Sequence, residues 1–181
     1  MRRVCEDMVY RVAELRHIDF SRVAVSFSQT RHAAGHGLYA ALTPLRFEGG
    51  RTEGVRGGRK WGVQRVQDAS GREMLYILSF YLPRFFDLAF QEKLVTVVHE
   101  LWHIGPRSDG DLRRFRGRCY AHGGSRKEYD SRVAQIADKW LSLDPPLSMY
   151  EFLKYDFRNL VRRYGGVCGN KIPTPRLIPL E

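Results

Sequence analysis

Apolar residues at Val4, Met8, Val9, Val12 and Leu15 recur at helical spacing with charged residues between them, which predicts a short amphipathic helix from Val4 to Leu15. The pattern then changes. Arg22 to Ser28 is rich in strand formers, and Gly37 to Phe47 reads as a second strand after a Gly-containing turn, so the two together predict a hairpin. Residues 49 to 68 are Gly-rich and basic, too flexible for a helix, and predict a long loop or mobile hairpin. Met74 to Phe80 is a third strand, ended by Tyr81-Leu82-Pro83. Beyond it Leu94, Val97, Val98, Leu101 and Trp102 keep helical spacing, predicting a buried helix that begins near Asp87 as its cap and stops at Gly105-Pro106.

Two further helices are announced by capping boxes. Ser125-Arg126-Lys127-Glu128 opens one with Tyr129, Val133, Ile136, Ala137 and Trp140 as its core face. Ser148-Met149-Tyr150-Glu151 opens another that carries Phe152, Leu153, Phe157, Leu160, Val161 and Tyr164 and ends at Gly165-Gly166. From Lys171 to Glu181 the prolines at 173, 175 and 179 predict an extended tail. The sum is an α+β fold, with one domain over residues 1–170 in which a short sheet packs on the helix around residue 100, and a Pro-rich tail over 171–181.

A length of 181 residues suits one compact domain, and 43% hydrophobic with 12% aromatic content excludes a disordered chain. Thirty Lys and Arg against twenty Asp and Glu give a net charge of +10, which makes nucleic acid a candidate partner of the surface. Cys5, Cys119 and Cys168 form no CxxC pair and no even framework, so free thiols in a reducing cytoplasm are expected. The first residues lack an apolar signal segment, and no apolar run approaches the roughly 20 residues that span a bilayer. No membrane partner is expected.

The chemistry concentrates at His99-Glu100-Leu101-Trp102-His103, the zincin motif HExxH. Positions i and i+4 lie one turn apart on a helix, so both imidazoles can reach one Zn²⁺ ion, and Glu100 can serve as general base toward a water activated by the metal. A catalytic zinc ordinarily has three protein ligands. His122, in the loop before the helix at Ser125, is the favoured third; Glu128, Cys119, Asp109 and Asp111 are rivals. Tyr120, or an arginine among Arg113, Arg114, Arg116 and Arg118, can supply an oxyanion donor. Those arginines read first as a solvated loop, since unspaced charge runs are usually surface, with a phosphate-binding strip as the alternative, and Trp61 in the basic stretch can stack on a base. His32 and His36 are split by glycines and read as turn or surface residues, and His17 as an ordinary histidine between helix and strand.

The order of elements resembles the SprT-like group of small zinc metallopeptidases. His99-Glu100-Leu101-Trp102-His103-Ile104, followed by Pro106, Asp109-Gly110 and Arg113-Arg114, resembles more closely the phage-type metallopeptidase family. The likeness is sharpest over residues 94 to 140 and topological elsewhere. It implies a zincin-like fold, zinc ligands at His99, His103 and His122, Glu100 as catalytic base, and a peptide or protein substrate. Cys168 alone cannot furnish the C-terminal zinc ribbon that SprT-like proteins often bear, so regulation by DNA through a ribbon is not implied. The expected activity is that of a zinc-dependent peptidase, with the edge of the 74–80 strand offered to an extended substrate. Two alternatives stand beside it: a zinc hydrolase acting on a non-peptide substrate, and a basic nucleic-acid-binding protein built around zinc.

Overall fold

A computed structural model describes residues 1–30, 37–115 and 126–180, and the chain is a mixed α+β structure. Helix α1 spans Arg2–Arg11 and buries Val4, Cys5, Met8 and Val9, with a 3-10 turn at Ala13–Leu15 carrying the same apolar stripe inward. Strands β1 (Val23–Gln29), β2 (Ala40–Pro44) and β5 (Tyr76–Leu82) form one sheet in the order β1-β5-β2. Strand β5 runs parallel to β1 and antiparallel to β2. The expected β1–β2 hairpin is therefore not formed: each strand pairs with β5 instead.

Burial explains the choice. Strand β5, Tyr-Ile-Leu-Ser-Phe-Tyr-Leu, is apolar on both faces and is buried at five of its seven positions, the pattern of a strand covered on both sides. One face, with Tyr76, Leu78, Phe80 and Leu82, joins the main core beneath the helices; the other contributes Ile77 to a smaller cluster with Ala24, Leu45 and Met74. The central position of β5 leaves it no exposed edge for a substrate, contrary to the expectation from sequence.

Between β2 and β5 the Gly-rich stretch makes a true hairpin. Strands β3 (Glu53–Arg56) and β4 (Arg59–Val63) meet through Gly57-Gly58, whose φ values of 58° and 74° are those of a two-residue I′ turn. The tail is extended and adds a strand: β6 (Leu177–Leu180) pairs with β4 to complete a second three-stranded sheet. Val63, Val66 and Ile172 seat its base on the smaller core cluster.

Helix α2 spans Phe90–Trp102 and packs on α3 (Arg126–Ser142) and β2. All five residues expected on the core face of α3 are buried. The cap of α2 is not Asp87. Helix entry is at Ala89, whose N–H donates to Glu92 Oε2 at 3.0 Å, while Asp87 accepts from the Phe157 N–H at 3.1 Å. The predicted helix from Ser148 to Tyr164 is broken into α4 (Leu147–Tyr150), a 3-10 turn at Glu151–Lys154, and α5 (Phe157–Tyr164), which Asp156 caps by accepting from the Asn159 N–H. Gly165 ends α5 with φ 77°, as expected of a left-handed C-terminal residue. Among the described residues no helix is long and apolar enough to cross a membrane. Cys5 and Cys168 are free, the first buried and the second exposed, and Cys119 lies outside the described residues.

Glu73 anchors the start of β5 to its surroundings. Its carboxylate meets Arg46 at 2.8 Å and Arg22 and Arg65 each at 3.7 Å. The Arg46 hydrogen bond holds its pKa below the ordinary 4.5. A depressed carboxyl contributes stability that is complete above the ordinary value and is lost as pH falls through the depressed one. Glu73→Gln is thus expected to cost about 1–2 kcal/mol at neutral pH, with the gap from wild type closing as pH falls below the ordinary 4.5 in urea melts. A gap that stays constant through that fall would assign the cost to shape rather than charge.

Candidate metal centre

The HExxH residues sit on the last turn of α2. His99 and Glu100 lie within the helix and His103 caps its C-terminal end, with the His103 N–H donating to the Glu100 carbonyl at 3.2 Å. A spacing of four brings the two imidazoles together: His99 Nε2 and His103 Nε2 are 3.1 Å apart. Two nitrogens each about 2.0–2.1 Å from one tetrahedral zinc ion stand about 3.3 Å apart, so the pair is spaced as two ligands of a single ion. The same separation suits an N–H···N hydrogen bond between the rings, with one proton to be given up when a cation binds.

Tyr129 of α3 braces both rings. Its ring lies edge-on to His99, with centroids 5.0 Å apart, and stacks on His103 at 5.6 Å. Its hydroxyl is 3.3 Å from the His99 carbonyl and 3.5 Å from His103 Nδ1, the nitrogen that remains when Nε2 faces a metal. Burial pushes the Tyr129 phenol well above its ordinary pKa, so it stays protonated and able to donate. Sequence reasoning placed Tyr129 on the core face of α3 and missed this second contact, because nothing local shows which helix α3 will face.

Glu100 is buried, and its Oε2 accepts from the Leu42 N–H on β2 at 2.8 Å. Burial pushes its pKa up to about 7, against the opposing pull of the Leu42 hydrogen bond. The hydrogen bond arises from register. Strand β2 is an edge of its sheet, so a backbone N–H not used by β5 is directed outward and α2 supplies the acceptor.

The segment after α2 folds back to close the helix end. The Arg113 N–H donates to the His103 carbonyl at 2.6 Å, and its Nε to the Trp102 carbonyl at 2.8 Å, while its guanidinium lies 4.0 Å from the Trp102 ring centroid. Asp111 accepts from the Gly49 and Leu112 N–H groups, both at 2.8 Å, and pairs with Arg114 at 3.1 Å. Tyr76 donates to the Asp111 carbonyl at 2.8 Å and accepts from the Gly110 N–H at 2.9 Å. Arg113 and Arg114 therefore serve the architecture of this loop, which answers the two-way reading of the basic run for those members. His17 is likewise an ordinary polar histidine, its Nε2 lying 3.3 Å from the Ile104 carbonyl.

Among the described residues no group of three His, Cys, Asp or Glu side chains is arranged to hold a metal. Asp109 pairs with Arg107 at 2.7 Å, Asp111 is engaged as above, and Glu128 is exposed in the first turn of α3. His122 and Cys119, with Tyr120, Arg116, Arg118, His32 and His36, lie outside the described residues. No family model, curated protein or solved structure matches the chain, so the chemistry of the His99–Glu100–His103 turn stands on its own geometry.

Proposed function

We propose that the protein is a zinc-dependent peptidase of zincin-like build, akin to the SprT-like and phage-type metallopeptidases. His99, His103 and His122 would hold the ion, and Glu100 would act as general base. The observation that carries the reading is the pair of Nε2 atoms 3.1 Å apart on one helix turn, with a buried carboxylate on the residue between them. Zinc bound there would supply Lewis acidity toward a scissile carbonyl and the attacking water.

The residues of the chain do the rest. Glu100, next in the chain to the ligand His99, takes a proton from water and returns it to the leaving amine. Leu42 fixes one oxygen of that carboxylate through its N–H and leaves the other to the reaction. Tyr129 orients His103. The outer edge of β2, apart from the Leu42 N–H that Glu100 holds, is the edge that would take an extended peptide.

The test is metal content alongside hydrolysis of a mixed peptide library. Purified protein stripped with chelator and reloaded is expected to hold one zinc per chain and to cleave peptides, and folded His103→Ala and His122→Ala variants are expected to lose both properties. Wild-type protein that takes up no stoichiometric zinc overturns the reading. Unchanged zinc in His122→Ala overturns the third ligand and moves attention to Cys119 or Glu128.

A further inference from the structure

The hairpin of β3 and β4 carries charge that, for the most part, no ion pair among the described residues neutralises. Across residues 49–65, Arg51, Arg56, Arg59, Lys60 and Arg65 stand against Glu53 alone. Arg65 reaches Glu73, and Arg51 donates to the Glu48 carbonyl. Arg56, Arg59 and Lys60 are exposed and enter no ion pair among the described residues.

Register makes the arrangement more pointed. Arg56 and Arg59 are directly opposite one another in the pair that closes the turn. Like charges facing across an antiparallel pair destabilise it, so the hairpin carries a repulsion that an anion between the two guanidiniums would relieve. Trp61 is two residues from Arg59 and therefore on the same face, and its indole N–H donates to the Arg56 carbonyl at 3.0 Å. The tip stands clear of the body: a Cβ added at Gly57 or Gly58 would meet nothing within 4 Å.

We infer that the Arg56–Arg59 face of this hairpin binds the phosphodiester backbone of a single nucleic-acid strand, with a base stacked on Trp61. Two arginines at a protruding tip match adjacent phosphates, and an aromatic beside them matches the π-face that every base offers. The site is separate from the HExxH turn, and its test does not depend on zinc or hydrolysis.

The experiment is fluorescence anisotropy of the full chain with labelled 20-mer oligo(dT) and oligo(rU) over a salt series. Each phosphate contact to a single strand contributes about 0.7 to the slope of log K against log salt. Arg56→Ala/Arg59→Ala is expected to weaken binding about tenfold or more at low salt and to reduce the slope by about 1.4, with a melting temperature equal to or above wild type because a repulsion has been removed. Arg56→Lys/Arg59→Lys should retain the slope. If the alanine pair disrupts the hairpin, Arg59→Gln alone is expected to reduce the slope by about 0.7. Tighter binding of one oligomer assigns the strand to DNA or RNA, and either outcome supports the site. Affinity and slope unchanged in the variants overturn it, as does competition by a polyglutamate peptide equal to that by unlabelled oligonucleotide, which would make the tip a generic polyanion surface.

Discussion

Glu100→Gln is expected to keep zinc at wild-type stoichiometry while lowering peptide hydrolysis by about 10²–10⁴-fold, the usual contribution of a positioned general base. The substitution is close to isosteric. The amide oxygen of glutamine can still accept from the Leu42 N–H, so the side chain keeps its place against β2 and the metal-free protein should melt no lower than wild type. What disappears is an oxygen able to take a proton and return it. The imidazoles of His99 and His103 approach each other through their Nε2 atoms, independently of Glu100, so the ligands are untouched. Equal activity in the variant would remove the general-base role; loss of zinc together with activity would show that Glu100 supports the ligands instead. Metal analysis and single-substrate kinetics on the same preparation separate these outcomes.

Lys93→Met is expected to be among the more damaging single substitutions for stability, at about 2–4 kcal/mol, or a fall in Tm of roughly 5–15 °C for a chain of this size. Lys93 is buried in α2, and its Nζ donates to the Leu153 carbonyl at 2.9 Å and the Tyr155 carbonyl at 2.8 Å. Those carbonyls belong to the break before α5, where the helix ladder cannot use them. Methionine fills similar volume but leaves both acceptors without a donor, at about 1–3 kcal/mol each, partly offset by no longer burying an ammonium. Burial pushes the Lys93 pKa down, against the opposing pull of Asp156 and Asp87. Exposed Lys127→Met should change stability by no more than about 0.5 kcal/mol. Equal Tm values for the two variants, by calorimetry, would show that the carbonyls of the break are satisfied without Lys93.

Lys93 also shows where sequence reading reaches its limit. The break that Lys93 serves lies in a segment whose apolar spacing reads as continuous helix from Ser148 to Tyr164. A chain break inside an apolar-periodic segment is tolerable only if a distant donor satisfies its carbonyls, and that donor lies 60 residues away from Leu153. The hairpin expected between β1 and β2 failed similarly. Adjacent strands are the default partners, but β5 is the most fully buried strand of its sheet and covers both faces only by taking the centre.

Local periodicity and a terminal glycine determined the amphipathic first helix, the buried helix carrying His99 and His103, the five core residues of α3, the end of the last helix at Gly165 and the α+β class. Each depends on side chains within a few residues of one another, where helix and strand periods are fixed by backbone geometry. Tertiary structure alone decided that Leu42 holds Glu100, that Tyr129 lies against both histidines, and that β6 extends the hairpin sheet. Those contacts join residues far apart in the chain, and they are selected by which buried polar groups remain to be satisfied once the apolar faces have packed.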